Sequence, residues 1–487
     1  MTKSDYLYTV GISSYWGTIV PPLQHVAAGD VVISHQFESL VRMSGRGLME
    51  PLGAKSWEFS PDKLNLRFRI DTSRRFSDGS YLRAADYKKA WEDGLRMTPI
   101  SSNSSLSDGM ASIKGYDKFR EKGELEGVRV IGEDVLEIEL VKPVRMYLEY
   151  LNGQRFSVYK RTEDGFIGTG PYVMSEKDKE LTLVPNPYFA GAEPALKNVK
   201  IVAVPPAEAY GKLSSGELDA LLMAEMADIP GCGKNSGDVM CADGQEGRHI
   251  MVDLNGMPGR FFSDPGHRLA FQTLVLKNSA LAAEAFSSRS FTSDVQTFLK
   301  FQAGRITDKE ASDLIAAGEE HIPAFLAAAK KRPLFFAANA KSWKWLYDLL
   351  LENGVALTKD STWEFSGPGF WEMYYKTCTP DIFPLSISIT DGDPDGLYHI
   401  LGENGAVTSP MVQRESVKEG LESGRRILDI SRLPEHYQAV SRAILRDVPY
   451  VHLGYLYNRT AYNKNRLRIN KTLIGRYNNN VMGFRPK

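Results

Sequence analysis

Between Leu64 and Asp71 apolar and polar side chains alternate without a break: Leu64, Leu66, Phe68 and Ile70 fall on one side, Asn65, Arg67, Arg69 and Asp71 on the other. A period of two predicts a strand with one buried face. Phe76-Ser77-Asp78-Gly79 then predicts a tight turn, because glycine accepts a positive φ and an Asp side chain can bond the backbone ahead of it. From Arg83 to Leu95 the period becomes helical. Tyr87, Ala90, Trp91 and Leu95 share a face, Lys88, Lys89, Glu92 and Asp93 lie outside it, and Asp86 sits near the positive N-terminal end. The same patterns predict a strand over Tyr6–Ile12 and a hairpin over Val128–Leu140 around Gly132-Glu133-Asp134. Further along, they predict a strand–helix–strand unit: Pro333-Leu-Phe-Phe-Ala-Ala-Asn-Ala340, then a helix with Trp343, Leu346, Leu349 and Leu350 inward that ends at Asn353-Gly354, then Val355–Thr358.

Length and charge narrow the class. At 487 residues the chain exceeds what one core supports, so two or three domains are expected. It carries 59 basic and 60 acidic residues, a formal charge of -1, which offers no electrostatic footprint for nucleic acid or for an anionic membrane surface. No apolar run is long enough to cross a bilayer, and Met1-Thr2-Lys3-Ser4-Asp5 does not open a signal peptide. The expectation is a cytosolic protein or a mature form with Met1 added. Cys232 and Cys241 stand in a Gly-rich loop with eight residues between them, a spacing that can close a disulfide contributing about 2–3 kcal/mol and indicating an oxidising compartment. Cys378 reads as a buried small hydrophobe.

Catalytic signatures are thin. The chain has no HExxH, no G-x-S-x-G, no Walker loop and no Cys/His cluster, and its eight histidines form no pair at metal-site spacing. Gly168-Thr-Gly170 lacks the third glycine and the following helix of a dinucleotide loop, so both glycines read as turn residues. Asp391-Gly-Asp393-Pro-Asp395-Gly396 opens like a calcium loop, but the twelfth slot, where a bidentate Glu belongs, is Gly402. No cofactor and no metal are expected, and no enzymatic activity.

The wording of several segments points further. "FSDGSYLRAADYKKAWEDGL", "LGAKSWEFSPDKLNLRFRI", Phe37–Val41, "IGTGPY", "LTLVPNPYFAGAEPALKNVKIVAV", "SSGELDALL", "DLNGMPGRFFSDPGHRLAFQTLVLKN", "ITDGDPDGL" and "YQAVSRAILRDVPYVHLGYL" resemble, in order and spacing, the oligopeptide- and dipeptide-binding proteins of ATP-binding-cassette importers, solute-binding protein family 5. Residues 287–332 and 402–432 match only loosely. The resemblance implies an α/β, bilobed, periplasmic-binding-protein-like fold of type II with an extra inserted subdomain. Lobe I would comprise 1–41, 160–245 and 459–487, the insertion 42–159, and lobe II 246–458. It implies a monomeric extracytoplasmic receptor, periplasmic or membrane-anchored, that closes on a small peptide or peptide-like solute and delivers it to a membrane permease. The alternative is a ligand-sensing module of the same fold that is not coupled to transport.

Site residues follow from the same resemblance. His25, Val26 and Ala27, together with Ser386, Ser388 and Thr390, match positions that sandwich a ligand backbone, where main-chain bonds supply affinity. Met223 and Glu225 match its neighbourhood, Trp363 matches a pocket aromatic, and Trp371 lies in a stretch, Phe365 to Tyr375, about five residues longer than usual. Two departures stand out. Arg83 replaces a helix-capping Thr, an expected loss of about 1 kcal/mol. Thr390 replaces the Asp that pairs with a peptide's ammonium; Asp391, one step along, could substitute as a ligand-binding residue, but neighbouring side chains in a strand face opposite ways, so the exchange is not automatic. Free peptides are therefore expected to bind weakly.

Overall fold

The computed structural model describes residues 6–487 except 25, 45–47, 99–108, 164, 225–226, 228, 230–236, 287–289, 338–342, 359–372, 389–392, 404, 406–407 and 471–479. The alternating run forms the strand Asn65–Ile70, with Leu66, Phe68 and Ile70 buried and Asn65, Arg67 and Arg69 exposed. The turn after it has Gly79 at φ 86° and Ser80 N donating to Asp78 Oδ1 at 2.8 Å. The helix runs Ala84–Met97 and buries Tyr87, Ala90, Trp91 and Leu95. The capping loss expected at Arg83 is offset locally. Its side chain caps nothing, but Asp86 reaches back to accept from Arg83 N at 2.8 Å, the return half of a capping box.

Two compact units result, residues 1–245 with 458–487, and residues 246–457. The chain crosses from the first to the second within the strand Val239–Leu254 and returns within Tyr450–Asn463.

Among the described residues the first unit carries strands of two larger sheets, besides three two-stranded ones. In one, Leu7–Ile12 pairs in parallel with Asn198–Ala203 and with Ala220–Leu222, and the antiparallel hairpin Tyr172–Lys177 and Glu180–Pro185 extends it. The other is antiparallel, in the order Ala54–Phe59, Asn65–Ile70, Val135–Glu139, Val128–Ile131, so the expected hairpin forms its edge. The helix Ala84–Met97 shares this second sheet's core, with Trp91 Nε1 donating to Phe156 O at 2.9 Å.

Three of the resembling segments meet at one buried point. Glu38, from the Phe37–Val41 segment, accepts from Arg74 Nη2, just ahead of the FSDG turn, and from Thr169 Oγ1 at 2.8 Å. The turn itself docks there, Ser77 N donating to Gly168 O at 3.1 Å. This corrects the reading of Gly168 and Gly170 as turn glycines. Neither has a positive φ. They are glycines because a Cβ on Gly168 would stand 2.1 Å from Gln36 O, and one on Gly170 2.7 Å from the same carbonyl.

The second unit carries Ile382–Ile387 antiparallel to Val239–Leu254, in the register Ile250↔Ser386, and Phe291–Ser293 antiparallel to Tyr450–Asn463. The strand–helix–strand expectation holds in part. The helix Lys344–Glu352 ends before Gly354 at φ 81°, but among the described residues the flanking segments pair through the isolated parallel bridges Leu334↔Leu357 and Phe336↔Ile382. Pro333 has no N–H to donate, and Leu334 and Phe336 are anchored by burial rather than by a continuous ladder. The closing helix, Leu433–Asp447, leads through Val448 into the return strand.

Candidate functional site

In the first unit, Val26 stands in extended conformation and Ala27 opens the helix Ala27–Ile33. Gln24 sets that entry. Its buried amide donates to Trp16 O at 2.9 Å and to Thr18 O, while its Oε1 accepts from Val26 N at 2.7 Å. Gly29 makes room for it, since a Cβ there would overlap Gln24 Nε2 at 1.7 Å. Met223, at the end of the strand Ala220–Leu222, is buried and held at φ 53°. For a side chain with a Cβ that backbone costs roughly 1–3 kcal/mol and is tolerated where the surroundings impose it. Val26, Ala27 and Met223 share one apolar cluster with Trp16 and Val10. His25 and Glu225 lie outside the described residues.

In the second unit, Ser386 lies on the strand Ile382–Ile387 and Ser388 just past it, both half-buried. Arg248, on the neighbouring strand, grips Ser386 twice: Nε donates to Oγ at 2.6 Å and Nη2 to the carbonyl O at 2.7 Å. The next residue, His249, meets His452 from the return strand, Nδ1 to Nε2 3.1 Å. His452 Nδ1 lies 3.0 Å from Asp294 O, a carbonyl that can only accept, so that nitrogen carries the proton and Nε2 accepts from His249. Both rings pack on Tyr455. Burial pushes His452 down to about 4, so its ring is neutral. His249, Thr297, Gln302 and Asp393 line a very small cavity together with Phe298, Pro394 and Leu397.

The run read as a near-calcium loop has other work. Asp393 accepts from Asp395 N at 2.9 Å and caps the 3-10 turn Pro394–Leu397. Asp395 is buried against Arg425, Nε to Oδ2 3.3 Å, and that guanidinium stands 3.7 Å over the Tyr398 ring. A third carboxylate engaged in this way is withdrawn from metal binding. Among the described residues no cluster of three or more His, Cys, Asp and Glu could hold an ion.

Deeper in this unit, Tyr374 Oη donates to Asp253 Oδ2 at 2.8 Å, while Oδ1 is buried with no hydrogen-bond partner. Desolvation pushes the Asp253 carboxyl up to about 7, against the pull of the Tyr374 hydroxyl and the Arg414 charge. Cys241 is disulfide-bonded, and Cys378 is free and buried. Cys232, Trp363, Trp371, Thr390 and Asp391 lie outside the described residues.

The structure thus groups Val26, Ala27 and Met223 in one unit, and in the other ties Ser386 to Arg248. Arg248 and the His249–His452 pair were missed from the sequence. The one local signal was an Arg-His step at the head of an otherwise apolar run, Ile250-Met251-Val252.

Residues 49–287 match the family model described as bacterial extracellular solute-binding proteins, family 5 Middle. The dipeptide-binding protein DppE of Bacillus subtilis (strain 168) is 26% identical over 214 residues, 40% of this chain and 39% of DppE, so the match spans about two fifths of that relative. Among solved structures, the periplasmic binding protein AgaA from A. tumefacien R10, in complex with agropinic acid, superposes with a TM-score of 0.80 at 18% identity, covering 99% of each chain. The Escherichia coli murein tripeptide binding protein MppA gives 0.81 at 16% identity over 99% of this chain and 98% of its own. Residues 49–287 therefore belong to the bacterial extracellular solute-binding proteins of family 5, and the α/β chain as a whole has the periplasmic-binding-protein fold of its structural neighbours.

Proposed function

We propose that this chain is the substrate-binding protein of an ABC-type importer, capturing a small peptide or peptide-like solute through residues of both units and delivering it unaltered to a membrane permease. The observation that carries this reading is the family match over residues 49–287. The relatives' names support a small ligand: a dipeptide for DppE, a murein tripeptide for MppA, agropinic acid in the AgaA complex. On this reading the ligand set is His25, Val26, Ala27, Met223, Glu225, Trp363, Trp371, Ser386, Ser388, Thr390 and Asp391. The two strands on which the chain passes between units act as the hinge, and a ligand that touches both units favours the closed state by its differential contacts. The protein works as a monomer outside the cytoplasm, without nucleic acid, and its disulfide joins Cys232 to Cys241. A bonded Cys241 supports an oxidising compartment. Among the described residues no helix is long and apolar enough to cross a membrane.

The test is a ligand panel of peptides, amino acids, sugars and metal chelates, read by solution scattering and thermal unfolding. At least one compound is expected to shrink the radius of gyration and raise Tm, while tripeptides with free amino termini do so weakly or not at all. A scattering profile unchanged across the panel overturns the transport reading. Micromolar binding of a free tripeptide overturns the assignment built on Thr390.

A further inference from the structure

The helix Ala27–Ile33, whose first residue belongs to the proposed ligand set, is followed closely by a histidine with no access to water: His35 is fully buried. Its two ring nitrogens meet opposite partners. Nδ1 lies 2.8 Å from Val32 O, a carbonyl that can only accept, so Nδ1 carries the proton. Nε2 stands 3.0 Å from Val481 N, a backbone amide that can only donate, so Nε2 presents its lone pair. One protonation state satisfies both, the neutral Nδ1–H tautomer. Through it the ring joins segments 446 positions apart. Val481 opens the 3-10 turn Val481–Gly483, whose first N–H groups have no partner within the turn; Asn480 Oδ1 accepts that of Met482 at 3.0 Å, and His35 accepts that of Val481. Beyond the turn, Phe484–Pro486 pairs with Leu467–Ile469, and Val481 and Phe484 share one apolar cluster with Val32 and Ile33.

A proton added from solvent to Nε2 leaves two N–H donors face to face and places a cation where nothing balances it. Of the titratable and charged groups on the elements around the ring, Asp30 stands on the preceding helix, Tyr172, Glu176 and Lys177 on the strand Tyr172–Lys177, and Arg468 and Arg485 on the two tail strands. None of them acts on the ring. Burial lowers its affinity for a proton, to about 4, against the pull of the Val31 and Val32 carbonyls. Moving the tail away relieves both penalties, because it opens Nε2 to water.

We propose that His35 is an acid-sensitive latch: neutral, it holds residues 480–487 against the helix Ala27–Ile33, and protonation at Nε2 releases them. The latch is internal to the first unit, needs no ligand, and stands apart from the receptor reading.

Hydrogen exchange of the full chain between pH 7 and pH 5, corrected for the intrinsic pH dependence of amide exchange, reads the tail directly. Opening at the amides of residues 481–484 is expected to rise about tenfold or more over that range, because the open form takes up the proton that the closed form refuses, while Asn198–Ala203 in the same unit keeps its protection. His35→Gln keeps an acceptor for Val481 N and cannot take up a proton, so its tail protection is expected to stay constant. His35→Asn keeps a donor for Val32 O and lacks the acceptor, so its tail is expected to open about tenfold more than wild type already at pH 7. Constant tail protection in wild type, an equal fall in His35→Gln, or loss of Asn198–Ala203 protection in step with the tail overturns the latch. Should either variant lack native circular dichroism, nitrogen-15 NMR of the wild-type imidazole decides. The Nδ1–H form at pH 7 is expected to give way to imidazolium as the tail opens; a ring still neutral with the tail open, or charged with it closed, overturns the proposal.

Discussion

Replacing Glu38 by alanine is expected to destabilise the first unit by about 3–5 kcal/mol, because it strands the Arg74 guanidinium in the interior without its counter-charge. The geometry leaves little room for rescue. The Arg74 and Glu38 side chains are 11% and 7% exposed, Thr169 spends its hydroxyl on the same carboxylate oxygen, and the backbone of residues 168–172 lies against residues 35–36. Water cannot enter to solvate the orphaned cation without breaking those contacts. The contrast is Glu137→Ala. Glu137 pairs across the sheet with Arg67, whose side chain is half exposed, so solvent screens the pair and its loss costs little. Urea unfolding followed by tryptophan fluorescence, reporting Trp16 and Trp91 in this unit, measures both. A Glu38→Ala loss no larger than that of Glu137→Ala would show that the knot is not a stability centre.

The second large effect is a stability that depends on pH in opposite senses at two buried groups of the other unit. Asp253, pushed up to about 7, is protonated more readily in the folded than in the unfolded chain, whose aspartates titrate near 3.8. Its charge therefore penalises folding above that range, the penalty growing between pH 4 and 7 and holding beyond. Asp253→Asn removes it. The variant is expected to exceed wild type by about 2–4 kcal/mol at pH 8, with the gap closing toward zero at pH 4. His452 works the other way. The folded state refuses a proton that the unfolded chain accepts below about 6.5, so its contribution is lost as pH falls toward 4. The difference between wild type and Asp253→Asn isolates the carboxyl, since both proteins keep His452. A gap that is constant from pH 4 to 8 would mean that Asp253 is not neutral when buried.

These two predictions draw on groups that sequence patterns could not rank. Periodicity identified the strand at Asn65–Ile70, the helix at Ala84–Met97 and the hairpin at 128–139, because burial of one face leaves its period in the chain. It overreached between 333 and 358, where, among the described residues, apolar runs read as strands pair through single bridges. The glycines of the GTG segment were visible, but the reason for them, a carbonyl of Gln36 in the space of a Cβ, was not. Asp86's compensation for the missing Thr cap was nearly legible, since the two residues stand three apart.

Local order and identity of residues, then, determined the secondary elements, the near-neutral charge, the absence of catalytic signatures and the wording that marks residues 49–287 as family 5. Only the tertiary structure decided that Glu38, Arg74 and Thr169 form one buried polar knot, that Arg248 sits on Ser386 from 138 positions away, and that His249 meets His452 across 203. The physical reason is range. Propensity and pattern act over a few residues, whereas the desolvation that makes a buried charge seek its partner depends on which distant strands the fold brings together.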